Sequence, residues 1–174
     1  MSKSTLKDLK NRRSVRAYRP EQIGDEELDA ILEAGTYAPS GMGGQSAVIV
    51  AAQNKALITK LQKLNAGVLK DPKAKPFYGA PTVINVLANK KGATPLEDGN
   101  LVIGNIMNAA AALGIGSCYI YRAREVFASA EGQELLKKWS LSKDYVGIGH
   151  VVLGYAAEDP KPAARKEGYI IKMP

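Results

Sequence analysis

Residues 96–113, LEDGNLVIGNIMNAAAAL, form a segment that is apolar on nearly every face. If the segment is helical, Leu101, Val102, Ile103, Ile106, Met107 and Ala109 to Ala112 leave no polar stripe wide enough to face water, so it has to be surrounded. Polar side chains are few, among them Asp98, Asn100, Asn105 and Asn108. The run falls short of the roughly 20 apolar residues needed to cross a bilayer, so its surroundings are protein. The segment is therefore expected to be the central buried helix. Its small residues, Gly104 and Ala109 to Ala112, permit a second helix to approach closely. That neighbour is either another helix of the same core or the same helix of a second copy.

A buried helix needs layers to cover it. Residues 47–52, 82–88, 117–121 and 146–155 are rich in Val, Ile and Tyr and read as strands. Residues 25–37 place Leu28, Ile31 and Leu32 at helical spacing, with Asp25, Glu26 and Glu27 at the start and Pro39 beyond the end. Residues 55–65 repeat the pattern with Leu57, Ile58, Leu61 and Leu64, and residues 4–11 give a shorter helix with Leu6 and Leu9 facing inward. Alternation of these elements means α/β or α+β. No repeat or long linker interrupts the 174 residues, so residues 1–174 are expected to form a single domain. The Pro- and Lys-rich tail, residues 158–174, needs a partner surface to be ordered.

The scarce residue types exclude whole classes of chemistry. One cysteine, Cys118, and one histidine, His150, rule out an internal disulfide, a CxxC pair, a Ser-His-Asp triad built on another histidine, and HExxH or multi-cysteine metal sites. His150 lies in an apolar stretch and reads as a core or strand histidine before a functional one. No metal site is expected, and redox chemistry here needs a borrowed cofactor. The opening MSKSTLKDLKNRR lacks the apolar centre of a signal peptide, so a cytoplasmic location without membrane association is expected. A net charge of +7 suits an anionic ligand or a nucleic acid. Aromatic residues are only 6%, and no RNP, helix-turn-helix or zinc pattern appears, which leaves a nucleic-acid-binding α/β domain as the weaker reading.

Three segments carry candidate chemistry. Arg12-Arg13-Ser14-Val15-Arg16 puts three guanidinium forks and a hydroxyl where they can hold a phosphate dianion, or where they can form a solvated basic surface. Ala38-Pro39-Ser40-Gly41-Met42-Gly43-Gly44-Gln45 is a glycine-rich turn with open backbone N–H groups. It is neither a Walker loop, because no Lys follows Gly44, nor GxGxxG. The dinucleotide fingerprint is absent elsewhere too, which argues against a resident NAD on a Rossmann half. Ala112-Leu113-Gly114-Ile115-Gly116-Ser117-Cys118-Tyr119-Ile120-Tyr121 joins the apolar helix to a strand, and Gly114 there reads as a helix cap.

In order and spacing, RRSVRAY, the PS-glycine-rich-Q turn, FYGAP with its strand, and ALGIGSCYI leading to VVLGYAAEDPKPAARK resemble the FMN-dependent nitroreductase family over almost the whole chain. The resemblance implies an α+β fold, with a mixed, mainly antiparallel sheet flanked by helices, in an intertwined homodimer. It implies tightly bound FMN, NAD(P)H as a transient hydride donor, and a small organic acceptor such as a nitroaromatic or quinone, reduced in a ping-pong cycle. A protein that stores or senses FMN without turnover would share the same site. By position, Arg12, Ser14 and Arg16 would hold the phosphate and ribityl chain, Arg13 would contribute its backbone, and Arg165 would be a further phosphate ligand. Pro39, Ser40, Gly41 and Gln45 would reach the flavin of the partner subunit. Tyr119, Ile120 and Tyr121 would line the ring, and Asn65 would approach its pyrimidine edge or the ribityl hydroxyls. No side chain is assigned as a catalytic acid or base, because the flavin carries the difficult step. Two departures, Gly43 where the family often has Asn and Ser46-Ala47 where it often has Pro-Trp, imply a more open pocket over the flavin.

Overall fold

The computed structural model describes residues 4–173. The chain order is α1 (Ser4–Asn11), α2 (Asp25–Thr36), β1 (Ala47–Ala52), α3 (Lys55–Val68), β2 (Thr82–Asn89), α4 (Pro95–Ala112), β3 (Gly116–Ile120), α5 (Ala123–Ala128), α6 (Ala130–Lys138) and β4 (Tyr145–Gly154). The strands form one sheet in the order β1-β2-β4-β3, and each neighbouring pair is antiparallel. The mixed character comes from a single isolated parallel bridge, Ser14 to Ser117.

Both faces of this sheet are covered. Ile84, Val86 and Ala88 of β2, with Val151 and Leu153 of β4, pack on one side against Ile31 of α2 and Val102, Ile103 and Ile106 of α4. Their alternates Val83, Leu87 and Val152 pack on the other side against Leu61 of α3, Phe127 of α5 and Leu135 and Leu136 of α6. Two-sided burial explains why β2 and β4 read as continuous apolar runs although their pairing is antiparallel.

The expected strands and helices are present within a few residues, but two expectations about burial fail in the single chain. Leu6 and Leu9 are 51% and 49% exposed, because α1 has no buried residue and lies outside both cores. Residues 96–113 are also not enclosed: α4 turns Val102, Ile103, Ile106 and Ala110 inward, while Leu96, Leu101 and Leu113 remain 42%, 47% and 46% exposed. The sheet and α2 cover only part of its circumference. The sequence reading left α5 and α6 unassigned. Ser129 divides them, ending α5 and capping α6 by accepting from the Gly132 N–H at 3.1 Å. Among the described residues, no helix is long and apolar enough to cross a membrane.

His150 is fully buried between Phe77 and Phe127. Asn85 donates its amide N–H to Val50 O, so its Oδ1 is the acceptor that faces His150 Nδ1 at 2.9 Å and assigns the ring proton to Nδ1. Nε2 has no partner. Burial, helped by the charge of Arg122, lowers the imidazole pKa to about 3. The unfolded chain takes up this proton below the ordinary value of 6.5, whereas the folded chain stays neutral down to about 3. The histidine therefore withdraws stability as pH falls through that window, by at most about 1.4 kcal/mol per pH unit. In an NMR titration between about pH 5 and 8, the ring protons of this single histidine should not shift. A midpoint near 6.5 would contradict the buried neutral state.

Candidate functional site

The arginine segment crosses the end of the sheet where β3 begins and β4 finishes. Val15 N–H donates to Ser117 O at 2.9 Å, Arg19 N–H to Tyr155 O at 2.9 Å, and Ala157 N–H to Ala17 O at 2.9 Å. These bonds fix the start of the chain against the start of its tail. In consequence Arg12, Arg13, Ser14 and Arg165 line one cavity of about 650 Å³, with Lys10 at its edge. Arg13 Nη1 donates to Lys10 O and Arg12 O, both at 2.7 Å, and Arg165 Nη2 donates to Ala163 O at 2.7 Å. Among the described residues, Arg12 Nη1 is buried without a partner, an arrangement that costs free energy and that an acceptor would relieve. Arg16 follows two residues after Ser14 and is not among the residues that line this cavity; its backbone N–H donates to Glu158 Oε1 at 2.5 Å. Cys118 is buried beneath the same residues. Burial raises its thiol pKa, while Arg16, a hydrogen bond with Ser14, and Arg12 act in the opposite direction.

The glycine-rich turn lies at the opposite end of α4. Gly41–Gly43 form a single 3-10 turn, and Met42 and Gln45 adopt left-handed φ values of 54° and 45°. Asp98, only 3% exposed, holds this geometry: Gly41 N–H donates to Oδ1 at 2.9 Å, Thr94 Oγ1 to Oδ1 at 2.8 Å, and Ser46 Oγ to Oδ2 at 2.6 Å. The Ser46 hydroxyl, then the Gly41 N–H and the Thr94 hydroxyl, keep its pKa below the usual carboxylate value. A Cβ on Gly41 would sit 2.0 Å from Thr94 Oγ1, so a side chain there would displace the hydroxyl that donates to Asp98. Pro39, Ser40 and Gln45 line a cleft of about 450 Å³ with Leu32, Asp98 and Val102.

A third group gathers at the far end of β3. Asn65 is fully buried; its Nδ2 donates to Tyr121 O at 2.8 Å, and its Oδ1 accepts from Arg122 Nε at 3.0 Å. With no exposed atom, Asn65 acts in this chain by shaping the Tyr121-Arg122 turn, where Arg122 takes a left-handed φ of 79°. Tyr121 is 66% exposed, Ile120 is buried, and the Tyr119 hydroxyl lies 3.1 Å from Ile148 O. Burial raises the Tyr119 pKa. Of these three residues, Tyr121 alone presents a largely free ring to a ligand.

The structure thus unites Arg12, Arg13, Ser14 and Arg165, leaves Arg16 outside the lining of their cavity, and groups Asn65 with Tyr121. Pro39, Ser40, Gly41 and Gln45 stand apart. The 18 residues of α4 place about 27 Å of helix, at 1.5 Å per residue, between the turn held by Asp98 and the β3 start that bridges to Ser14. Sequence reasoning missed Asp98 and Arg122. The first carried a signal, a carboxylate inside an apolar run. The second carried none, since its backbone angle is set by the turn from β3 into α5.

The Nitroreductase family model matches residues 9–155. The FMN reductase (NAD(P)H) of Bacillus subtilis is 27% identical over 88% of this chain, and the match spans 66% of that protein's length. A putative NADH dehydrogenase/NAD(P)H nitroreductase of Archaeoglobus fulgidus is 28% identical over 88% of this chain and 86% of its own. The crystal structure of a nitroreductase with bound FMN from Bacteroides fragilis superposes with a TM-score of 0.90 at 31% identity, covering 99% of this chain and 100% of that one. One from Desulfitobacterium hafniense, also with bound FMN, gives 0.90 at 29% identity, with both chains covered completely.

Asp98→Ala should free the glycine-rich turn while leaving the sheet intact. Hydrogen exchange at the Gly41 amide should quicken on the order of tenfold or more, with the β2 and β4 amides unchanged. Unchanged exchange at Gly41 would show that the carboxylate does not hold the turn. In the parent chain the stabilisation is complete above the ordinary carboxylate pKa of 3.8 and is lost as pH falls through the lower folded value.

Proposed function

Because the chain belongs to the nitroreductase family of oxidoreductases, we propose that it is an FMN-dependent enzyme, working as an intertwined homodimer, that passes hydride from NAD(P)H to a small organic acceptor such as a nitroaromatic or a quinone. The observation that carries this reading is the cavity shared by Arg12, Arg13, Ser14 and Arg165, with a buried guanidinium nitrogen of Arg12 left without a partner. That donor set suits one terminal phosphate, as in FMN. The solved relatives with bound FMN support the same choice.

Bound FMN would supply the hydride-accepting and hydride-donating centre, which no side chain of this protein provides. The residues of the chain bind and orient. Arg12, Arg13, Ser14, Arg16 and Arg165 grip the phosphate end. The Tyr119 to Tyr121 strand end lies along the ring, with Asn65 fixing the Tyr121 carbonyl from beneath. Pro39, Ser40, Gly41 and Gln45 complete the pocket from the second copy. The separation of that turn from the arginine cavity along α4 favours this exchange, as do the exposed Leu6, Leu9, Leu96, Leu101 and Leu113, which a partner would cover. Donor and acceptor would use the same open face in turn, which is the basis of a ping-pong cycle.

Two measurements test the reading. Under anaerobic conditions, NADH or NADPH should bleach the visible band of the flavin-loaded protein, and a quinone or nitroaromatic should restore it. A flavin that neither nucleotide reduces would indicate storage or sensing instead. Arg12→Ala should weaken FMN binding by about 1.5–3 kcal/mol, the range for a hydrogen bond to a charged group, or roughly tenfold and more in Kd. Riboflavin, which lacks the phosphate, should bind both proteins nearly equally. An equal loss for the two ligands would place Arg12 in the fold and not in the grip on phosphate.

A further inference from the structure

Next to the arginine cavity, in a neighbouring one that Arg12 and Arg13 also line, stands a carboxylate that the assignments above leave unexplained. Glu158 is exposed and shares its cavity with Arg12 and Arg13 as well as with Asp8 and Asp159, and among the described residues it forms no ion pair with Lys or Arg. Its Oε1 accepts instead from the backbone N–H of Arg16, the residue that closes the arginine segment. The neighbouring Asp159 is already paired with Lys161. Glu158 also acts electrostatically on Cys118, the buried thiol that feels Arg12 and Arg16 as well. Its carboxylate therefore stands next to Arg12, Arg13 and Arg16, which are proposed above to bind phosphate.

We infer that Glu158 is a built-in anion that competes with the ligand phosphate for the arginine cradle and thereby sets the affinity for FMN. This rests on the FMN reading above and deepens it. A carboxylate and a phosphate dianion repel each other, and both are drawn to the same N–H and guanidinium groups. Binding therefore requires the Glu158 side chain to leave Arg16 N–H and move towards solvent, and the cost of that departure is subtracted from the affinity. The backbone does not have to move with it. The Tyr18 to Ala156 bridge and the Ala157 N–H bond to Ala17 O hold the start of the tail by main-chain contacts. Riboflavin makes no demand on the cradle, so the effect is confined to phosphorylated ligands.

The test is a titration of the parent, Glu158→Gln and Glu158→Ala with FMN, riboflavin and inorganic phosphate at one salt concentration, using flavin fluorescence quenching and, for phosphate, thermal shift. Both variants should bind FMN more tightly by on the order of tenfold, the scale of one charge-assisted hydrogen bond. Both should gain thermal stabilisation by inorganic phosphate, and riboflavin affinity should not change. FMN affinity that is unchanged or weaker in the variants would overturn the inference; a weaker value would mean that the carboxylate orders the tail and Arg165. If no variant takes up FMN while both respond to phosphate more strongly than the parent, the competition stands and the flavin assignment fails. An equal response to phosphate in all three proteins would end the competition whatever flavin does.

Discussion

The close seating of α4 on the sheet is the contact from which the rest of the molecule follows. Gly99 lies so near β4 that a Cβ would meet Ile148 Cγ1 at 2.5 Å. On the outer side, Gly35 lets α2 come down on Ile106 in the same way, with an added Cβ 2.8 Å from its Cγ1. Such approaches leave little room for α4 to slide or rotate. Its two ends are consequently fixed points, and each positions a candidate functional group. At the N-terminal end, Asp98 fastens the glycine-rich turn. At the C-terminal end, Gly114, with a φ of 75°, stops the helix and sends the chain directly into β3. There Ser117 receives the arginine segment through its bridge to Ser14.

Two buried or half-buried polar systems follow from this frame, and they differ in how complete they are. The Asp98 carboxylate is satisfied by three donors from its own chain, so its role is to rigidify the turn. The arginine cavity is, among the described residues, unsatisfied at Arg12 Nη1 and brings together residues from both ends of the chain, a donor set that suits an anion. A finished network preorganises and an unfinished one recruits. The apolar surface left on α1 and α4 has the same unfinished quality, and a second copy would both cover it and bring the glycine-rich turn towards the cavity.

Much of the fold could be read from local pattern. Leu28, Ile31 and Leu32 announce α2, and the Val- and Ile-rich runs announce all four strands, because two-sided burial makes them apolar throughout. What local pattern could not supply was the count of layers in the isolated chain. The apolar faces of α1 and α4 read as internal, but in the single chain Leu6, Leu9, Leu96, Leu101 and Leu113 remain exposed. Short α5 and α6 escaped notice because six and nine residues offer too few turns for a clear stripe. At the candidate site, the RRSVR cluster and Arg165 were legible as types, and their convergence was implied by family resemblance alone. Asn65 is expected from sequence to approach the flavin's pyrimidine edge or ribityl hydroxyls; in this chain its amide is buried and bonded to Tyr121 O and Arg122 Nε, contacts that no local pattern announces. Glu158 was passed over because a carboxylate in a Lys- and Arg-rich tail looks like ordinary charge balance until its hydrogen bond to Arg16 is seen.

In the proposed dimer two chains would together hold two monophosphate flavins, the cradle of each coming from one copy and the glycine-rich turn from the other. Native mass spectrometry of protein reconstituted with a mixture of FMN and FAD tests it in a single spectrum. The predicted species is a dimer of the 18.6 kDa chain carrying two FMN, with flavin lost when the dimer dissociates. A monomer that retains flavin, or a dimer that selects FAD, would contradict the account.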